Sequence, residues 1–136
     1  MPEKQTVQKA KEDLRKGKAP STAAGEFVHE EIEHVREGKH GARSTKQAIA
    51  IGLSKARRAG VPLKAPAKGT TSEKTRKSAK RAYEVGQGER APRAPSRRRS
   101  KAVKRALERE GHSAASKSAL SRQAKSAAKR RRAQAH

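Results

Sequence analysis

Arg97, Arg98, Arg99, Lys101, Lys104 and Arg105 crowd one short stretch of this chain, and Lys125, Lys129, Arg130, Arg131 and Arg132 crowd another. Guanidinium and ammonium groups at this density do one kind of chemistry: they neutralise phosphate. Duplex DNA carries about one charge per 1.7 Å, so a basic helix along a groove meets several phosphates and releases their counterions. The alternative for any one such helix is a solvated face. The whole chain decides between them, with 36 Lys+Arg against 13 Asp+Glu and a formal net charge of +23 on 136 residues. A fold does not need that excess, and self-repulsion opposes compaction. A polyanionic partner is the expectation, and nucleic acid is the commonest one.

Other chemistries find little footing. The chain has no Cys, which excludes disulfides and thiolate metal sites. One Asp (Asp13), no Gly-rich phosphate loop after a strand and no Ser/His/Asp constellation argue against an enzyme. His29, His34 and His40 lie near Glu26, Glu30 and Glu33, with Glu30 and His34 four apart. That spacing suits a divalent metal, but an exposed acidic helix explains it as well; no cofactor or metal is expected. The same acidic helix could instead pair with the basic arms and compete with nucleic acid.

What is missing also shapes the partner. There is no Asn, so the Asn–adenine pair is unavailable. The aromatic side chains are Phe27 and Tyr83, too few for base-stacking platforms. Contacts should run from Lys/Arg to phosphate, which position the protein without specifying sequence. Arg90-Ala91-Pro92-Arg93-Ala94-Pro95-Ser96-Arg97-Arg98-Arg99 resembles the Pro/Arg arms that enter minor grooves, without a Gly-Arg-Pro centre; a plain basic linker is the competing reading.

These residues need elements to hold them. Charge is uneven: +3 over residues 1–23, −4 over 24–37, +8 over 38–68 and +16 over 69–136. Large apolar residues concentrate in 24–63, where any packed core is expected. A short helix is predicted around Thr6–Lys16. Val28, Ile32 and Val35 at i, i+4, i+7 predict a helix over 24–37, with Ser21 and Thr22 as cap candidates. Ser44 with Gln47 reads as a capping box opening the next helix. Gly60, Val61 and Pro62 read as its Schellman ending, with Arg57 and Arg58 favoured in the last turn. A helix-turn-helix would need a shorter turn than the seven residues between them, so a plain antiparallel hairpin is preferred. Such a hairpin needs a third element, Tyr83 and Val85 folding back or a second copy of the chain.

Beyond Pro62 the pattern thins. Residues 64–70 read as a linker, Thr70 with Glu73 as a capping box, and about 71–85 as a helix. A second linker follows, then a helix over 97–110 capped by Ser96, with Val103, Ala106 and Leu107 as its stripe. A last helix from a Ser113 cap to about 132 completes the pass. These basic helices have thin apolar stripes and are expected to be partly disordered without a polyanion. The reading is all-α: a basic arm over 1–18, a helical hairpin core over 19–63, and a basic nucleic-acid-binding tail over 71–136.

Two further expectations complete the reading. No window approaches a membrane span, and Met1-Pro2-Glu3-Lys4 opens on polar residues without the apolar core of a secretory signal, so a cytoplasmic protein is expected. Ser44-Thr45-Lys46-Gln47-Ala48-Ile49-Ala50-Ile51-Gly52-Leu53-Ser54, within residues 19–61, resembles a family of small basic bacterial proteins classed only as a domain of unknown function. Thr71-Ser72-Glu73-Lys74-Thr75 and Leu120-Ser121-Arg122-Gln123-Ala124-Lys125-Ser126-Ala127 resemble its longer members. The resemblance implies a bacterial source and supplies no activity and no site residues. The functional expectation therefore rests on the residues: non-enzymatic, largely sequence-independent duplex DNA binding of nucleoid-associated type. The alternatives are an RNA- or ribosome-associated basic protein, or a protein-interaction module in which the hairpin docks a partner and the tail localises it.

Overall fold

The structure is a computed structural model, and residues 3–93 and 96–134 are described. It is all-helical: α1 (Lys4–Arg15), α2 (Pro20–Arg36), α3 (Thr45–Arg58), α4 (Glu73–Gly86), α5 (Arg97–Arg109), a 3-10 turn (Ser113–Ala115) and α6 (Lys117–Gln134), with no strand among the described residues. Local signals set most boundaries. Pro20 occupies the first position of α2, where its missing N–H costs nothing; Ala23 N–H and Thr22 N–H both donate to Ala19 O. Ser21 and Thr22, expected as caps, therefore lie inside the helix. Ser44 does cap α3, its Oγ accepting from Gln47 N–H at 3.1 Å, while Gln47 Oε1 accepts from Arg43 N–H at 2.6 Å. The Schellman ending is present: Val61 N–H donates to Ala56 O and Gly60 N–H to Arg57 O, both at 3.1 Å.

Two caps fall elsewhere than expected. Ser72, not Thr70, caps α4 by accepting from Thr75 N–H. Ser113 opens only the 3-10 turn, and Ser116 caps α6, accepting from Ala119 N–H at 3.2 Å. A helix N-cap hydrogen bond is worth about 1 kcal/mol. Ser116→Ala is therefore expected to lower the stability of its unit by about that amount in a denaturant titration, whereas Ser113→Ala should leave the midpoint nearly unchanged.

The chain packs as two compact units, Met1–Glu31 with Ala50–Ala94, and Ile32–Ile49 with Pro95–His136. In the first, Ala10, Ala23, Ala24, Phe27, Ala56 and Val61 form the buried cluster, flanked by Val7, Leu14, Leu53 and Leu63. The core thus extends beyond 24–63 to include α1. Alanine dominates it, so burial per residue is small and close approach must compensate. Gly52 provides it: a Cβ there would lie 2.7 Å from Val28 Cα, so only glycine lets the α3 backbone sit this near α2. Ala79 and Ala82 of α4 are buried in this unit, whereas Tyr83 and Val85, expected to supply that element, are half-buried.

Charged groups are built into the first unit as well. Glu30 Oε1 accepts from Glu3 N–H at 2.7 Å and from Thr6 Oγ1 at 3.3 Å, closing the open end of α1. Glu31 is fully buried and pairs with Lys55. The acidic stretch expected to be exposed and free to compete for the basic arms is thus partly structural. Arg57 is buried too, donating to Leu63 O at 3.0 Å and Lys64 O at 3.2 Å. Burial pushes its guanidinium below the usual arginine range. Its job is to pin the chain after α3, not to meet a partner.

The second unit is held by a loop clasp. Its buried apolar residues are Ile32, Val35, Ala42, Ala48, Ala114 and Ala115. Gly41 N–H donates to Leu107 O at 2.8 Å and Ala42 N–H to Gly111 O at 3.0 Å. Arg36 Nε donates to Ala115 O at 2.9 Å, and buried Thr45 Oγ1 to Ala114 O at 2.6 Å. The two clasped loops are related in sequence. Arg36-Glu37-Gly38-Lys39-His40-Gly41-Ala42-Arg43-Ser44 and Arg109-Glu110-Gly111-His112-Ser113-Ala114-Ala115-Ser116 share their opening Arg-Glu-Gly, a following His, an Ala and a final capping Ser. The likeness is one of sequence and not of backbone: Gly38 takes a φ of +78°, Gly111 does not, and only the second loop carries a 3-10 turn.

Candidate nucleic-acid interface

All eleven phosphate-contact candidates lie in the second unit, and all are exposed. On α5, Arg97, Arg98, Lys101, Lys104 and Arg105 follow i, i+1, i+4, i+7, i+8 and share one side, while Arg99 lies across from them. Ser96 caps this helix, accepting from Arg99 N–H. Three arginines in its first turn face the positive end of the macrodipole, a penalty that phosphate would relieve. No residue of α5 is buried, and Val103, expected on its apolar stripe, is 59% exposed. On α6, Lys125, Lys129 and Arg132 continue a line begun by Arg122, at i, i+3, i+7, i+10. Arg130 and Arg131 lie off that line. Arg131 and Arg132 close the helix at the end where cations are favoured.

None of the eleven side chains pairs with a carboxylate among the described residues. Elsewhere local pairing is common: Lys16 with Glu12, Arg36 with Glu33, Arg76 with Glu73 and Arg90 with Glu84. For the α6 residues the contrast has a sequence origin, because no Asp or Glu follows Glu110; on α5, Glu108 lies within a turn of Lys104 and Arg105 without an ion pair to either.

The second unit also holds a cationic cleft of about 550 Å³. Its walls are the start of α3, with Arg43, Ser44, Thr45 and Lys46, and the start of α6, with Ser116, Ser118, Arg122 and Ser126. Sequence reasoning found the Ser44 cap here but missed Arg43, Lys46 and Arg122 as a group. The recurring Arg-Glu-Gly sequence was the signal that could have joined the two segments.

The first unit carries a further basic patch. A cleft of about 480 Å³ is lined by Lys77, Ser78, Lys80, Arg81, Glu84 and Arg90. The Arg81 guanidinium is pushed below the usual range, first by desolvation and then by Arg93, Arg90 and Arg58, with Glu84 opposing. Such mutual repulsion is what a polyanion would relieve. The proposed minor-groove arm is only partly placed, since Ala94 and Pro95 lie outside the described residues.

No described helix is long and apolar enough to cross a membrane. No protein-family model, curated protein or solved structure matches the chain.

Proposed function

We propose that this is a non-enzymatic protein that binds duplex DNA through its phosphates, with little sequence preference, in the manner of a bacterial nucleoid-associated protein. The observation that carries the reading is the exposed, carboxylate-free set of cations on α5 and α6, set within a chain of net charge +23. The scarcity of aromatics and the absence of Asn favour backbone contact over stacking or base readout. Phosphate contacts fall to Arg97, Arg98, Arg99, Lys101, Lys104, Arg105, Lys125, Lys129, Arg130, Arg131 and Arg132. The test is binding of the full chain to a labelled random-sequence duplex, with single-stranded DNA and duplex RNA as competitors. Duplex DNA should compete best; stronger competition by duplex RNA would move the reading to an RNA- or ribosome-associated protein. Equal competition by every polyanion would leave the charge a localising role and the interaction-module reading in its place.

A further inference from the structure

We infer that the cleft between the first turns of α3 and α6 is a discrete phosphate-binding site, which seats one backbone phosphodiester as a fixed anchor while the faces of α5 and α6 make diffuse contacts. Its ligand's source rests on the nucleic-acid reading above; the site itself does not. Three observations carry it. First, two segments far apart in sequence line one broad, open depression of about 550 Å³ here. Second, its charged lining is Arg43, Lys46 and Arg122, with no carboxylate among the lining residues. The two segments that build it come from the acid-free run 38–68 and from the acid-free residues after Glu110, so the local field is positive from both sides. Third, its remaining polar lining matches phosphate oxygens: the hydroxyls of Ser44, Ser113, Ser116, Ser118 and Ser126, and the Gln123 amide.

The walls are held in place. Thr45 is buried and bonded to Ala114 O, and the loop clasp fixes the two cap serines relative to each other within this unit. The cap bonds from Gln47 N–H to Ser44 and from Ala119 N–H to Ser116 use the hydroxyls as acceptors; Ser44 keeps its proton to donate, and Ser116 and Ser118, whose hydroxyls share a hydrogen bond at 3.3 Å, keep one proton to donate between them. Helix dipoles add to the field at both walls but are secondary to the three cations. A guanidinium binds phosphate in a bidentate fork, so Arg43 and Arg122 should carry most of the selectivity over monatomic anions.

The experiment is a titration of the isotope-labelled full chain with inorganic phosphate at constant ionic strength, following backbone amide signals. Saturable shifts should be confined to residues 43–47 and 113–126, and the double variant R43Q/R122Q should weaken phosphate binding roughly tenfold or more with the rest of the spectrum unchanged. Chloride producing the same shifts, shifts spread evenly over all basic helices, or a double variant that binds phosphate as before would each overturn the site. A short duplex should then displace the phosphate. Saturable phosphate binding that a bound duplex does not displace would overturn the phosphodiester assignment while the anion site and the DNA reading stand; a duplex that does not bind at all would overturn the DNA reading; absence of saturable phosphate binding sinks the site whatever the duplex does.

Discussion

Gly41→Ala is expected to destabilise the second unit by about 3 kcal/mol or more, enough to unfold a marginal domain. A Cβ at this position would overlap the backbone carbonyl of Glu110 and lie 2.7 Å from Gly111 O. The obstructing atoms are main chain, so no rotamer change relieves the clash. Relief requires the two loops to separate, which breaks the hydrogen bonds from Gly41 N–H to Leu107 O and from Ala42 N–H to Gly111 O. Ala42, Ala114 and Ala115 would then lose their burial. Gly25→Ala is the matched control. That residue lies within α2 with nothing within 4 Å of the added Cβ, so alanine should stabilise by about 0.5–1 kcal/mol through helix propensity alone. Chemical denaturation of the three proteins measures both signs, and amide exchange at Gly41 and Ala42 reports whether the clasp itself has opened.

The second large effect concerns the basic face of α5. Replacing Arg97, Arg98, Lys101, Lys104 and Arg105 by Gln should leave the helix intact, because Gln is a good helix former and the change removes cations from the positive helix end. If four of the five each reach a phosphate, duplex affinity at 0.1 M salt should fall by roughly 10³–10⁴, and the salt slope should become shallower by about 3.6. Filter binding or fluorescence anisotropy reads both quantities. A loss under tenfold with helicity preserved would remove α5 from the interface.

Particular residues show what was legible in the sequence and why. The Ser44–Val61 segment was read almost residue by residue, because capping and Schellman endings are local chemistry that needs no knowledge of the rest of the chain. The all-helical class followed from propensity and spacing. The misread caps, Ser113 for Ser116 and Thr70 for Ser72, are positions where several hydroxyl residues compete within one turn, so the type of residue alone does not choose among them. Glu30 and Glu31 looked like a solvated acidic face; their partners, the Glu3 amide and Lys55, are 27 and 24 residues away in sequence. Arg57 is expected only as a cation favoured in the last turn of its helix, and the path of the following chain makes it a buried clamp. The core was underestimated for a related reason: a search for large apolar side chains passes over Ala10, Ala79 and Ala82, which are buried because they are small enough for helices to meet closely. The exposed cations of α5 and α6 were the most legible part of the candidate site, since surface charge needs no partner to be recognised. The cleft was not, because its walls are 72 residues apart between the two cap serines, Ser44 and Ser116.

Replacement of counterions on a nucleic-acid backbone by the free cations of this chain is what should drive binding. It is tested most directly by the affinity of the full chain for a random-sequence duplex between 50 and 200 mM salt. With roughly eight phosphates contacted, log K should fall against log salt with a slope of about −7, a loss of roughly 10⁴ across that range. A slope shallower than about −2, or affinity unchanged over the series, would contradict the account.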